Sequence, residues 1–144
     1  MVSEMELGTF GSILKYAIEI ENEVIEFYRK ASTTLNDKKT VELFNELANR
    51  GEKRIKTLER VRRENTTEMI LEPIKDFDSN DYSVNTEIPE DVDDKIIQEV
   101  ARSIESKLEL FYNTASQKID FLSEAAYAFE LLAEKNTEAK KHLS

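Results

Sequence analysis

Between Phe10 and Leu35 apolar side chains recur at alternating intervals of three and four: Phe10, Ile13, Ala17, Ile20, Val24, Phe27, Ala31 and Leu35. An α-helix turns once every 3.6 residues, so this spacing lays a continuous apolar stripe along one helix face. The rhythm returns three more times. It runs through Val41, Phe44, Leu47, Ala48, Gly51, Arg54 with Ile55, Leu58 and Val61. It runs again through Ile97, Val100 with Ala101, Ile104, Leu108, Phe111 and Ala115, and last through Leu122, Ala125, Phe129, Leu132, Asn136, Ala139 and Leu143. Helices with one apolar stripe each bury it against one another, so the expected class is all-α, a four-helix bundle.

The punctuation between stripes sets the connectivity. Asn36 and Asp37 mark a turn, and Asp37 can cap the helix that follows. A short break falls near Lys118 to Asp120. Residues 65–92 hold both prolines and clusters of Asn, Asp and Ser, beginning NTTEMILEPIKDFDSNDYS. That stretch is a connection. It is far longer than the 4–6 residues that commonly join elements, which calls for a geometric reason. Helices are expected over about 9–35, 38–64, 93–117 and 121–143, each roughly 35–40 Å long at 1.5 Å per residue. At about 3.3 Å per extended residue, the 65–92 segment can cross the whole bundle. The expectation is one domain over 1–144: an antiparallel bundle of two helical hairpins joined by a long crossover loop.

Composition narrows the chemistry. The chain has 144 residues, 35% of them charged, and a net charge of −10. An acidic surface repels phosphate, which argues against nucleic acid and against an anionic membrane as partner. No cysteine is present, which removes disulfides, thiolate catalysis and cysteine-held metals together. No apolar run approaches the length of about 18 residues that spans a membrane. The opening MVSEMELGTF lacks a basic stretch before an apolar one, so a cytoplasmic location is expected.

The two hairpins repeat one another. FYRKAS at 27–32 returns as FYNTAS at 111–116, and in both copies Glu stands seven residues before Tyr: Glu21 with Tyr28, Glu105 with Tyr112. The second helices align FNELANRGEKRIKTL with FELLAEKNTEAKKHL, which sets Gly51 against Asn136 and Arg54 against Ala139. AIEIENEVIEFYRKAS followed by LFNELANRGEKRIKTLE resembles the first hairpin of the rubrerythrin-type branch of the ferritin-like superfamily. SIESKLELFYNTAS followed by FELLAEKNTEAKKHL resembles its second. The likeness covers nearly the whole chain outside the 65–92 segment.

The resemblance implies a di-iron carboxylate site. In such bundles one helix of each hairpin supplies a Glu and the other a Glu-x-x-His, all facing inward. Carboxylates suit iron as hard donors, imidazole completes the shell, and residues three apart share one helix face. Glu21 and Glu105 match the two single Glu positions, as vestigial metal ligands. At the second-helix positions stand Gly51 and Arg54, then Asn136 and Ala139, so four of the ligand positions are lost. Such a chain is expected to hold no cofactor and to have lost the di-iron centre.

Several features admit a plainer reading beside the functional one. Glu21 and Glu105 could lie at the edge of a stripe and reach water, or face the interior. Arg54 could be one more surface cation, or its guanidinium could replace the lost metal charge by pairing with Glu21 or Glu105. Gly51 costs about 1 kcal/mol against Ala inside a helix and reads as drift or as close approach to a neighbouring helix. Tyr28 and Tyr112 read as core aromatics bonded to nearby carboxylates. Glu138 with His142 reads as a solvated helix end, and the cations from Arg50 to Arg63 as a charge-mixed outer face.

The resulting expectation is a non-catalytic binding or self-associating domain whose protein partner is unknown, a homo-oligomer (a dimer by the resemblance). Exposed Met69, Ile70, Leu71, Phe77 and Tyr82 in the long loop are expected to make an interface. The competing expectation is a metal-dependent oxidase or peroxidase with a reduced carboxylate set. It would hold iron or another divalent metal on Glu21 and Glu105 with Glu52, Glu26 or a loop aspartate. A third is an adaptor for a small ligand in the space beside Gly51 and Ala139.

Overall fold

A computed structural model describes residues 6–65 and 73–144. Those residues form four α-helices: α1 (Phe10–Ser32), α2 (Lys38–Glu64), α3 (Asp94–Lys118) and α4 (Ser123–His142). A single 3₁₀ turn occupies Ser79–Tyr82. All four helices lie where the apolar rhythm places them, with ends differing by a few residues. Among the described residues the only β-type pairing is an isolated bridge between Glu6 and Asp78. No helix among them is long and apolar enough to cross a membrane.

Local chemistry explains where three helices start. A helix leaves its first N–H groups without partners, and a side-chain oxygen at the N-cap can accept from one of them. Thr9 accepts from the Ser12 N–H while Ser12 returns a bond to the Thr9 N–H, a reciprocal capping box. Asp37 accepts from Thr40 N at the start of α2, and Asp93 from Ile96 N at the start of α3. Leu122, ahead of α4, has no such side chain. Arg62 and Arg63 end α2, and Lys140, Lys141 and His142 end α4, where the helix dipole favours cations.

Helix α1 packs on α2 and α3 on α4, while α2 and α4 meet more sparingly. The apolar stripes supply the core. Every stripe position is buried except Val41, Ile55 and Val100, which are half-buried. The polar members of the stripes, Arg54 and Asn136, are buried with the rest.

The segment from Pro73 to Asp93 lies along the helices. Ile74 N donates to Gly8 O and Leu7 N to Phe77 O. Farther along, Tyr16 OH donates to Ser79 O, and Thr86 Oγ1 to Glu23 Oε1. At the far end the Asp94 carboxylate accepts from Asn36 N at 3.0 Å and Asp37 N at 2.7 Å. The partners of this segment thus advance in step along α1, from Gly8 to the turn that follows it.

This placement corrects one expectation. Phe77 and Tyr82 are only 2% and 8% exposed, so they are not an open interface. Phe77 stacks on Phe111 with ring centroids 5.7 Å apart, and Tyr82 meets the same ring edge-on at 5.6 Å. Tyr16 completes the group at 5.3 Å from Phe111. The polar flanks of these aromatics made the segment look like a solvated loop, but its rings close the core over α1 and α3. Met69, Ile70 and Leu71 lie outside the described residues.

Since Phe77 acts as a core residue, Phe77→Ala is expected to cost about 3–5 kcal/mol in urea unfolding, the range for truncating a buried ring. A loss of stability below 1 kcal/mol would mean that the ring is not part of the core.

Candidate functional site: a polar cluster in the bundle interior

Midway along the helices, four polar side chains and one glycine meet where the stripes would otherwise bring only apolar groups. Glu21 comes from α1, Arg54 from α2, Glu105 from α3 and Asn136 from α4, and all are buried. Arg54 keeps 4% of its surface exposed, while Glu21, Glu105 and Asn136 are fully enclosed. Arg54 and Asn136 occupy stripe positions, and Glu21 and Glu105 stand one residue past Ile20 and Ile104, so the helical period turns all four inward regardless of polarity.

The two carboxyls are supplied in parallel. Arg54 Nε donates to Glu21 Oε2 at 2.9 Å, and Asn136 Nδ2 donates to Glu105 Oε1 at 2.8 Å. Each also receives a tyrosine from the other repeat. Tyr28 of α1 donates to Glu105 Oε2 at 2.5 Å, and Tyr112 of α3 donates to Glu21 Oε2 at 2.5 Å. The spacing of seven residues explains the crossing. Seven residues are two helical turns, so each Tyr shares its helix face with its own Glu and reaches the carboxyl opposite. The rings are packed in turn: Tyr28 lies edge-on to Phe44, and Tyr112 edge-on to Phe129.

Burial dominates the electrostatics. Desolvation pushes the Glu21 carboxyl up, and Glu105 adds to it, while Arg54 and the Tyr112 hydrogen bond pull it back. Desolvation also pushes Tyr28 and Tyr112 well above the usual phenol range, with the carboxylate each one faces adding to the rise. Both hydroxyls therefore stay protonated and act as donors. Burial works against the Arg54 charge, but Glu21 and Glu105 outweigh it and hold the guanidinium protonated. Among the described residues, three buried side-chain atoms of this cluster take no hydrogen-bond partner: Glu21 Oε1, Arg54 Nη2 and Asn136 Oδ1.

Gly51 is explained by the helix beside it. A Cβ there would lie 2.7 Å from Ile25 Cγ1, nearer than side chains approach, and a tight 3.2 Å from Ile25 Cδ1. Arg54 Nη2 would lie 3.8 Å from the same point. The absent side chain therefore lets α1 come close on one side and leaves ordinary clearance to the guanidinium on the other. Ala139 is fully buried as well.

Of the six positions singled out from the sequence, four meet in this cluster, Gly51 lies beside the guanidinium, and Ala139 is buried. Glu26 and Glu52 are exposed, and Glu52 pairs with Arg29 at 3.1 Å on the outside. Glu138 and His142 are both exposed, and Glu138 approaches Arg50 at 3.7 Å. Among the described residues, no group of three or more His, Cys, Asp or Glu is placed to hold a metal ion.

Sequence reasoning missed two things. It read Asn136 only as a lost ligand, when an amide facing a seam carboxylate is also a donor. It passed over Glu109, which takes Lys140 Nζ at 2.9 Å and the Thr137 hydroxyl. Those bonds hold the Glu109 carboxyl below its usual range against partial desolvation. No sequence spacing within one helix joins α3 to α4 in this way.

No family model, curated protein or solved structure matches the chain.

A buried ion pair depends on both members, because removing one leaves a bare charge in a poorly solvating interior. Arg54→Met is expected to cost about 3–5 kcal/mol in urea unfolding. Combined with Glu21→Leu, the loss should fall well short of the two single losses added together. Strict additivity would show that the pair is not coupled. At Gly51, alanine gains about 1 kcal/mol of helix propensity but meets Ile25, and overpacking costs about 1–3 kcal/mol. Gly51→Ala is therefore expected to destabilise the protein, and to stabilise it in an Ile25→Ala background. Thermal unfolding of the four proteins reads this change of sign.

Proposed function

We propose that this chain is a ferritin-like domain, a relative of rubrerythrins, that has exchanged its metal ligands for hydrogen-bond donors and serves as a non-catalytic binding or self-associating protein. One observation carries the reading: Arg54 and Asn136, at two of the lost ligand positions, both aim N–H groups at the two retained carboxyls. A metal needs lone pairs from its surroundings, and a guanidinium has none to give. The cation that balanced the ancestral carboxylates is now the guanidinium itself. The donor set does not suit a di-iron centre, and no step of chemistry is assigned through one.

The ferritin-like connectivity is supported by the Asp94 carboxylate binding the turn before α2. Helices α2 and α3 then begin at the same end of the bundle, so the chain between them has to return along its full length. That is a crossover between two hairpins, and it accounts for the length of the 65–92 connection.

Self-association is supported by α4, where Tyr127 and Leu131 are 60% and 39% exposed. This outer face replaces the long loop as the candidate contact between copies, in a homodimer of a cytoplasmic protein.

The test uses the full chain grown with added iron and manganese. Metal analysis is expected to find no stoichiometric metal in it. The variant with Gly51→Glu, Arg54→His, Asn136→Glu and Ala139→His, made with Ile25→Ala so that the new side chain at 51 clears α1, restores the family's ligands and is expected to take up iron. Near-stoichiometric metal in the native chain that disappears with Glu21→Ala and Glu105→Ala would overturn the reading in favour of a metal-dependent oxidase.

A further inference from the structure

The sparse contact between α2 and α4 leaves an open groove of about 320 Å³ on that face. Its size is at the lower end of small-molecule sites, which run from about 300 to 1,000 Å³. Lys53 and Arg54 line it from α2 and Lys135 from α4. In a chain of net charge −10 this is a local concentration of positive charge.

The acids at the groove are already engaged. Arg50 lies between Glu46 on its own helix at 3.2 Å and Glu138 on α4 at 3.7 Å. One cation shared by two carboxylates leaves that chain a single negative charge, set against the charges of Lys53, Lys135 and Arg54 in the same lining. Lys53 and Lys135 are exposed and have no carboxylate at ion-pair distance among the described residues. Arg54 sits deeper. Its Nε is committed to Glu21 and its Nη2 is itself enclosed, so the guanidinium gives the floor of the groove its positive charge rather than an open donor. Thr57 also lines the groove and adds a hydroxyl.

We propose that this groove binds a small anion carrying two or more negative oxygens, such as a phosphate ester or a di- or tricarboxylate. Lys53 and Lys135 hold it from the two helices, above the guanidinium of Arg54. Charge supplies the recognition, since ionic hydrogen bonds to such oxygens are the strong ones. The proposal gives the binding role argued above a ligand class, and it rests on that reading. It also places the guanidinium between the interior carboxyl and the groove, so that one side chain serves both.

The test is calorimetric titration of the full-length chain with pyrophosphate and, separately, citrate. The two probes separate phosphate from carboxylate preference. Saturable binding near one site per chain is expected for at least one, weakening as salt rises because the lysines are exposed. Lys53→Gln with Lys135→Gln should weaken that binding about tenfold, the scale of two exposed ionic contacts. Both side chains are exposed, so the thermal unfolding temperature should not change. No saturable heat with either probe, or equal binding by the double variant, would overturn the proposal. Neither result would bear on the metal content that tests the non-catalytic reading.

Discussion

The interior of this protein is organised by two carboxyl groups that cannot reach water. Glu21 and Glu105 are fully enclosed. An isolated carboxylate in such a place is prohibitively costly unless donors surround it. Every polar neighbour follows from that constraint. One guanidinium, one carboxamide and two phenols converge from four helices, and each is itself buried. The group is both a demand on the fold and a device that fixes the helices' register, because sliding one helix by a residue would turn a donor away from its acceptor.

The crossed tyrosines extend this constraint through the bundle. Tyr28 and Tyr112 each link α1 to α3, while Arg54 links α2 to α1 and Asn136 links α4 to α3. Every helix is therefore tied to another by a buried polar bond as well as by apolar contact. The arrangement keeps the near-symmetry of the repeated hairpins but breaks it chemically: one carboxyl has a cation and the other a neutral amide. Gly51 belongs to the same set. Its missing side chain admits Ile25 of α1 close to α2, next to the guanidinium.

This economy bears on function. A metal ion needs lone pairs from its ligands, and Arg54 and Asn136 turn N–H donors toward the two carboxyls instead. The interior carboxyls find their donors within the bundle, one from a cation and the other from a neutral amide. The outer faces differ: the α2–α4 groove carries cations, and α4 carries exposed apolar side chains nearby. The aromatic group of Phe77, Tyr82, Tyr16 and Phe111 seals the opposite part of the core with a segment that has little helical structure of its own.

The apolar rhythm placed the four helices and put Arg54 and Asn136 on their stripes, and Asp37 was legible as the cap of α2. Those are local consequences of a 3.6-residue period and of unpaired N–H groups at helix starts. The Asp93 cap and the inward choice of Glu21, Glu105 and Arg54 over the surface emerged only in the packed bundle. The FY-x-x-AS repeat also marked both tyrosines as partners for carboxyls. Which carboxyl each would meet was settled only in three dimensions, because the answer lies on a different helix. The same holds for Phe77 and Tyr82, whose polar neighbours conceal that they complete a core, and for the groove between α2 and α4. A sequence carries the period of an element, whereas contacts between distant elements depend on how the packed helices divide the space among them.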